Sequence, residues 1–121
     1  MKDCPEFKIV LTTAPDLDVA KHLAESAINA RLAACVSFLP GLESLYWWKG
    51  QIETTTEVIM LLKTEAARVE ELEKLIIHHH PYDTPELAVL PVEAANEKYL
   101  AWITTSLKAE APVAGATASH S

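Results

Sequence analysis

A single α+β domain with the split βαβ, ferredoxin-like arrangement is the fold class that the sequence predicts. Three observations lead to it. Extended and helical hydrophobic patterns follow one another in the order β-α-β-β-α-β, with one more helix at the end. Two of the extended runs are joined by the short turn Lys49-Gly50 and are long enough to make one outsized hairpin. The chain has 121 residues, the length of one domain. Residues 1–108 carry the pattern. Residues 109–121, rich in Ala, Ser and Thr, lack large apolar side chains and are expected to be a disordered tail in which His120 is inert.

Each element has a local reason. Phe7 to Thr13 (FKIVLTT) mixes β-branched and apolar residues and reads as a strand. Pro15-Asp16 breaks that run and opens a helix, with acid favoured in its first turn. From Val19 to Leu32, the residues Val19, Leu23 and Ala27, and Ala20, Ala24 and Ile28, recur at every fourth position, giving a core-facing amphipathic helix. Ala34 to Tyr46 is a second strand, bent or bulged at Pro40-Gly41. Ile52 to Thr64 is the third, suited to extension by Thr54, Thr55, Thr56, Val58 and Ile59. Arms of roughly 14 residues at ~3.3 Å each reach ~45 Å, whereas a globule of about 100 residues has a radius of gyration of ~13 Å. The chain alone cannot cover such a hairpin. Its Ile59-Met60-Leu61-Leu62 segment is apolar on both faces, which asks for a second protein surface.

Thr64 is expected to cap a helix from Glu65 to His79 whose inner stripe is Val69, Leu72, Leu75, Ile76 and His79. Pro81 ends it. Thr84-Pro85 opens a fourth strand, Glu86 to Val92, and Asn96 caps a last helix, Glu97 to Lys108, with Leu100, Ile103 and Leu107 on one face.

Ten Lys and Arg against seventeen Asp and Glu leave a net charge of −7. Such a surface repels phosphate backbones and draws cations, so nucleic acid is excluded as a partner. No run of about 18 apolar residues is present to span a membrane. Met1 to Glu6 lacks the apolar core of a signal peptide, and a cytoplasmic location is expected. Hydrophobic residues make up 50%, more than so small a domain buries alone, which points to a subunit interface. The two cysteines, Cys4 and Cys35, have no CxxC partner, which excludes a disulfide framework and a structural zinc site. Catalysis is not expected. There is no Gly-rich phosphate loop, GxSxG, CxxC or HExxH, and Cys35 in Ala33-Ala34-Cys35-Val36 reads as a buried, inert thiol at a strand start.

The distinctive polar feature is His78-His79-His80-Pro81-Tyr82. Imidazole suits copper, zinc and nickel. Successive residues of a regular helix point about 100° apart, so three in a row cannot share one ion. At a helix end just before proline two of them can converge. The other reading is a helix C-terminus where histidines complement the dipole. Tyr46, Trp47 and Trp48 read as an oligomer seam or a ligand stack.

Several segments carry a resemblance: Ala33-Ala34-Cys35-Val36, Leu39-Pro40-Gly41, Ser44-Leu45-Tyr46-Trp47-Trp48-Lys49-Gly50, Leu62-Lys63-Thr64, His79-His80-Pro81-Tyr82-Asp83-Thr84-Pro85-Glu86 and Tyr99-Leu100-Ala101-Trp102. In order and spacing, from about Ile9 to Leu107, the chain resembles the CutA family of divalent-cation tolerance proteins. The resemblance implies a cytoplasmic homotrimer of ferredoxin-like subunits linked to tolerance of copper and other divalent ions, with His79 and His80 as the metal-ligand candidates. Some relatives have a cysteine where this chain has Thr12, a poor ligand for a soft metal, so the resemblance does not extend to high-affinity copper(I) binding. Ala95 stands before Asn96 where the family often has glycine. The leading reading is a trimeric protein that binds copper or other divalent cations without catalysis. The alternative is a trimer of the PII signalling kind, binding a small molecule or a protein partner in clefts between subunits. An acylphosphatase-like enzyme would need an arginine in a phosphate-cradling loop, and neither Arg31 nor Arg68 follows one.

Overall fold

A computed structural model describes residues 1–108. The tail expected over 109–121 lies outside the described residues. The elements in chain order are β1 (Lys2–Asp3), β2 (Phe7–Ala14), α1 (Leu17–Asn29), β3 (Cys35–Trp48), β4 (Gln51–Glu65), a 3-10 turn (Ala66–Arg68), α2 (Val69–His79), β5 (Leu87–Pro91), β6 (Ala94–Ala95) and α3 (Glu97–Lys108). Four strands form one sheet in the order β3-β4-β2-β5, every neighbouring pair antiparallel. β2 and β3 both oppose β4 and so run parallel to each other, with α1 crossing over between them. α2 makes the equivalent crossover from β4 to β5. This is the split βαβ arrangement that the sequence predicts.

The sheet buries one face under α1 and α2. Val10 and Ala14 of β2 and Val58, Met60 and Leu62 of β4 pack there against Ala20, Leu23, Ala24 and Ala27 of α1 and Leu72 and Ile76 of α2. Residues one step out of phase, Ile9, Leu11, Ile59 and Leu61, lie on the opposite face and are only half-buried. A smaller cluster of Cys4, Phe7 and Ala95, joined by Ile9, Val92 and Leu100, closes one end of that second face.

The hairpin is longer than expected, because pairing continues to Trp48 opposite Gln51. Lys49 and Gly50 then turn the chain in two residues, both with positive φ (49° and 78°), the geometry that matches the twist of the arms. Pro40 and Gly41 make the expected bulge, where the register slips between Leu39 and Leu42. Gly41 there has φ 81°, a conformation strained for any residue with a Cβ. Pro40 is tolerated because β3 is an edge strand.

Four local expectations are corrected. The first helix begins at Leu17 and stops at Asn29, short of Leu32, because Arg31 takes φ 58°. Leu32 N–H then bonds back to the Ala27 carbonyl (2.9 Å) and Arg31 N–H to that of Ile28 (3.0 Å), a Schellman ending without glycine. The Arg31 carbonyl accepts from the Arg68 guanidinium at 3.0 Å, which helps hold the turn. Thr64 does not cap the second helix. It is the buried penultimate residue of β4, its hydroxyl donates to the Leu32 carbonyl at 2.7 Å, and α2 starts only at Val69. His79 is exposed rather than part of the inner stripe, whose buried members are Leu72 and Ile76. Cys35 is half-buried rather than buried, 3.8 Å from Lys63 Nζ, and Cys4 is the buried thiol, donating to the Val92 carbonyl (3.3 Å). Asn96 caps α3 as expected, accepting from Lys98 N–H at 2.9 Å. The short pairing of β1 with β6 was not foreseen in the sequence. No helix among the described residues is long and apolar enough to cross a membrane.

Asp16 holds the start of α1 by accepting from Val19 N–H at 2.8 Å. Asp16→Ala should therefore lower stability by about 0.5–2 kcal/mol in chemical denaturation. An unchanged denaturation midpoint would show that the cap contributes nothing.

Candidate functional site

The backbone leaves helical geometry at His80, whose ψ of 137° is the extended value required of a residue before proline. That change separates the two candidate ligands. His80 turns inward and is 8% exposed. Its Nε2 lies 2.6 Å from the Thr13 carbonyl, and its Nδ1 accepts from Tyr82 N–H at 3.1 Å. A carbonyl needs a donor and an N–H needs an acceptor, so these partners select the neutral ring with its proton on Nε2. Both ring nitrogens are engaged, and His80 could ligate a metal only by giving up one of these bonds. His79 stays on the helix, exposed, with its ring centroid 4.9 Å from that of His78 and 5.8 Å from that of His22 on α1. Thr12 is buried, and its hydroxyl donates to the Glu86 carbonyl at 2.6 Å. Among the described residues, no group of three or more His, Cys, Asp or Glu is arranged to hold a metal ion.

Beside this helix end, an open cleft of roughly 1010 Å³ runs between the hairpin and the loop 81–86. Glu53 and Glu57 from β4, with Asp83 and Glu86 from the loop, place four carboxylates on its walls. Tyr46, Trp48 and Tyr82 supply aromatic surface, and no Lys, Arg or His among the described residues lines it. The strands build this wall by simple alternation. Ser44, Tyr46 and Trp48 on β3 share a face with Glu53, Thr55 and Glu57 on β4, and Tyr46 sits directly opposite Glu53. Sequence reasoning noticed the aromatic run but not the carboxylates. The signal available was the period-two spacing of Glu53, Thr55 and Glu57.

Tyr82 joins the two walls, its hydroxyl donating to Glu57 Oε2 at 3.1 Å. Burial holds its phenol above the usual tyrosine range, and the bond to Glu57 with the nearby negative charge adds to the shift. Ionisation would place a phenolate beside a carboxylate, so the neutral form is favoured. Alkaline titration, read as the tyrosinate absorbance lost in Tyr82→Phe, should show Tyr82 ionising later than free tyrosine and earlier again in Glu57→Gln. No movement in Glu57→Gln would assign the whole shift to burial.

Cys35 has the Lys63 ammonium beside it, and that ammonium donates to Ser37 Oγ at 2.6 Å.

Comparison with known proteins adds a family. The family model described as CutA1 divalent ion tolerance protein matches residues 8–106. A divalent-cation tolerance protein CutA of Pectobacterium atrosepticum is 47% identical over 110 residues, covering 89% of this chain and 100% of that one. Its counterpart from Citrobacter koseri is 46% identical over 104 residues, covering 86% and 90%. Among solved structures, CutA from Synechococcus elongatus superposes with a TM-score of 0.85 at 36% identity, covering 88% of this chain and 94% of that one. The structure described as the periplasmic divalent cation tolerance protein CutA from Archaeoglobus fulgidus gives 0.81 at 32%, covering 84% and 99%. A sheet of order β3-β4-β2-β5 with an overlong β3–β4 hairpin, matched along nearly its whole length, places this chain in the CutA1 divalent ion tolerance family.

Proposed function

We propose that this protein is a cytoplasmic homotrimer that binds copper or other divalent cations, without catalysis, as its part in divalent-cation tolerance. The observation that carries the reading is the cleft, where among the described residues four carboxylates and no cationic side chain line the walls, in a chain of net charge −7. Such a concave acidic surface concentrates cations. The imidazole of His79, exposed at the neighbouring helix end, adds a donor suited to copper(II), and His80 is the second ligand candidate if it releases the Thr13 carbonyl or Tyr82 N–H. Free thiols at Cys4 and Cys35 accord with a reducing compartment.

Assembly is supported by the hairpin. Trp47 and Trp48 are 72% and 57% exposed, and Leu39, Leu45 and Ile52 lie open on the same two strands. Apolar surface of that extent marks an association site. Light scattering should give three times the 13.3 kDa chain mass at micromolar concentration. A species of one chain mass would overturn the trimer.

The metal reading is tested by calorimetric titration of copper, zinc and nickel into tag-free protein. Copper(II) should bind weakly at about pH 7.5 and largely dissociate near pH 5.5, because ligating imidazole must be neutral and protons compete for it. The His79→Ala/His80→Ala double variant should lose binding. If it binds as the parent does, the histidines are not the ligands. If the parent binds none of the three metals, the cation reading fails.

The aromatic walls of the cleft favour a second reading, a PII-like module that takes a small molecule there, since its volume is that of a ligand pocket. A ligand of that kind would depend on Tyr46 and Trp48, whereas copper binding would survive their replacement by alanine.

A further inference from the structure

We infer that His22 of α1 and His79 of α2 form a two-imidazole site for one copper(II) or nickel(II) ion, bridging the two helices, with His78 alongside. This deepens the cation-binding reading and rests on it, but it takes the second ligand from a different helix.

α1 and α2 pack side by side on one face of the sheet. That packing brings His22 and His79, 57 positions apart in the chain, to a ring-centroid separation of 5.8 Å at an interplanar angle of 83°. A metal–nitrogen bond of ~2.0–2.1 Å and about 1.1 Å from nitrogen to ring centre place two imidazoles sharing one ion roughly 4.5 Å apart at a right angle and about 6.4 Å apart when opposed. The observed separation falls inside that range, as does the 4.9 Å between His78 and His79. All three side chains are exposed, so the rings of His22 and His79 are open to an ion from solution. No hydrogen bond or ion pair engages the three rings among the described residues, in contrast to His80.

Two nitrogens completed by water make an open site of modest affinity. Such a set follows the Irving–Williams order, with copper(II) ahead of nickel(II) and zinc, and it disfavours calcium and magnesium, which seek oxygen.

The test is copper(II) and nickel(II) titration of the full chain, with His120→Gln in every protein so that only the four described histidines remain. His22→Ala, His79→Ala and His80→Gln are compared with that parent. Removing even an outer-shell partner weakens a metal site 10- to 100-fold, so His22→Ala and His79→Ala should each weaken copper(II) binding by about ten-fold or more. Paramagnetic copper(II) should broaden the imidazole signals of His22 and His79 at lower metal ratios than those of His80, a readout that needs no variant to fold. Binding unchanged in His22→Ala but lost in His80→Gln, or His80 broadened first, would overturn this inference and leave the cation reading standing. A parent that binds neither metal would remove both.

Discussion

Eight residues of β2, Phe7 to Ala14, run against β4 from Glu65 back to Val58, and the other features depend on that register. It sets Val10, Met60 and Leu62 on one face, where α1 and α2 cover them to complete exclusion of water. A slip of one residue would exchange them with Ile9, Ile59 and Leu61 and present the helices with the wrong side of the sheet. The same pairing carries β4 on to Glu65, opposite Phe7, so the chain is still extended where local propensity would begin a helix. It also fixes Thr13 at the edge of the cleft, its carbonyl aimed at His80. Core, helix phase and candidate site are thus consequences of one ladder.

The sequence made the element order and the bulge legible because each is written in short-range chemistry. Pro40-Gly41 cannot continue a flat ladder, Lys49-Gly50 can turn a hairpin in two residues, and Asn96 has a side chain that mimics a backbone acceptor. The failures have the opposite character. Thr64 is a good cap by type, but its hydroxyl is taken by Leu32, 32 positions away, and the ladder with β2 outbids the helix. Arg31 has no intrinsic liking for positive φ, and it adopts 58° where Arg68 holds its carbonyl and its own guanidinium reaches the Ser106 carbonyl. His22 sits in a polar helical position with nothing in its neighbourhood of sequence to mark it. Only tertiary packing sets it beside His79. Partners distant in sequence decided each of these cases, and no local pattern encodes them.

The cleft shows how a hairpin wall acquires a chemical character. Because side chains alternate on a strand, choosing Glu at 53 and 57 colours one face acidic without touching the other. The loop then returns after α2 and adds Asp83 and Glu86 to the same side, and Tyr82 bonds across to Glu57. Among the described residues no basic side chain lines its walls, so Tyr82's hydrogen bond to Glu57 leaves the negative charge of the four carboxylates to attract cations from solution. The acid is therefore arranged as well as abundant. This arrangement favours a cation reading over one based on anionic ligands, while the aromatic surface leaves room for an organic group.

The run His78-His79-His80 places identical side chains in two different situations, two exposed on the helix and one buried beyond its end, and Pro81 is the cause. The pyrrolidine ring bars the residue before it from helical geometry, so His80 alone becomes extended and its ring swings under the helix end. There it meets a carbonyl on one nitrogen and an amide on the other, and its burial depends on satisfying both. His79, one residue earlier, retains the helical direction and remains exposed to water, with no hydrogen bond to its ring among the described residues. A ligand must offer a free lone pair, so availability, and not residue type or adjacency in sequence, ranks these histidines for a metal. On that criterion the imidazole across the helix interface, His22, is a better companion for His79 than its own neighbour in the chain. The inward histidine then has a different role: it ties the end of α2 to β2 and holds Tyr82 where it can reach Glu57, so the cleft keeps its shape whether or not an ion is bound nearby.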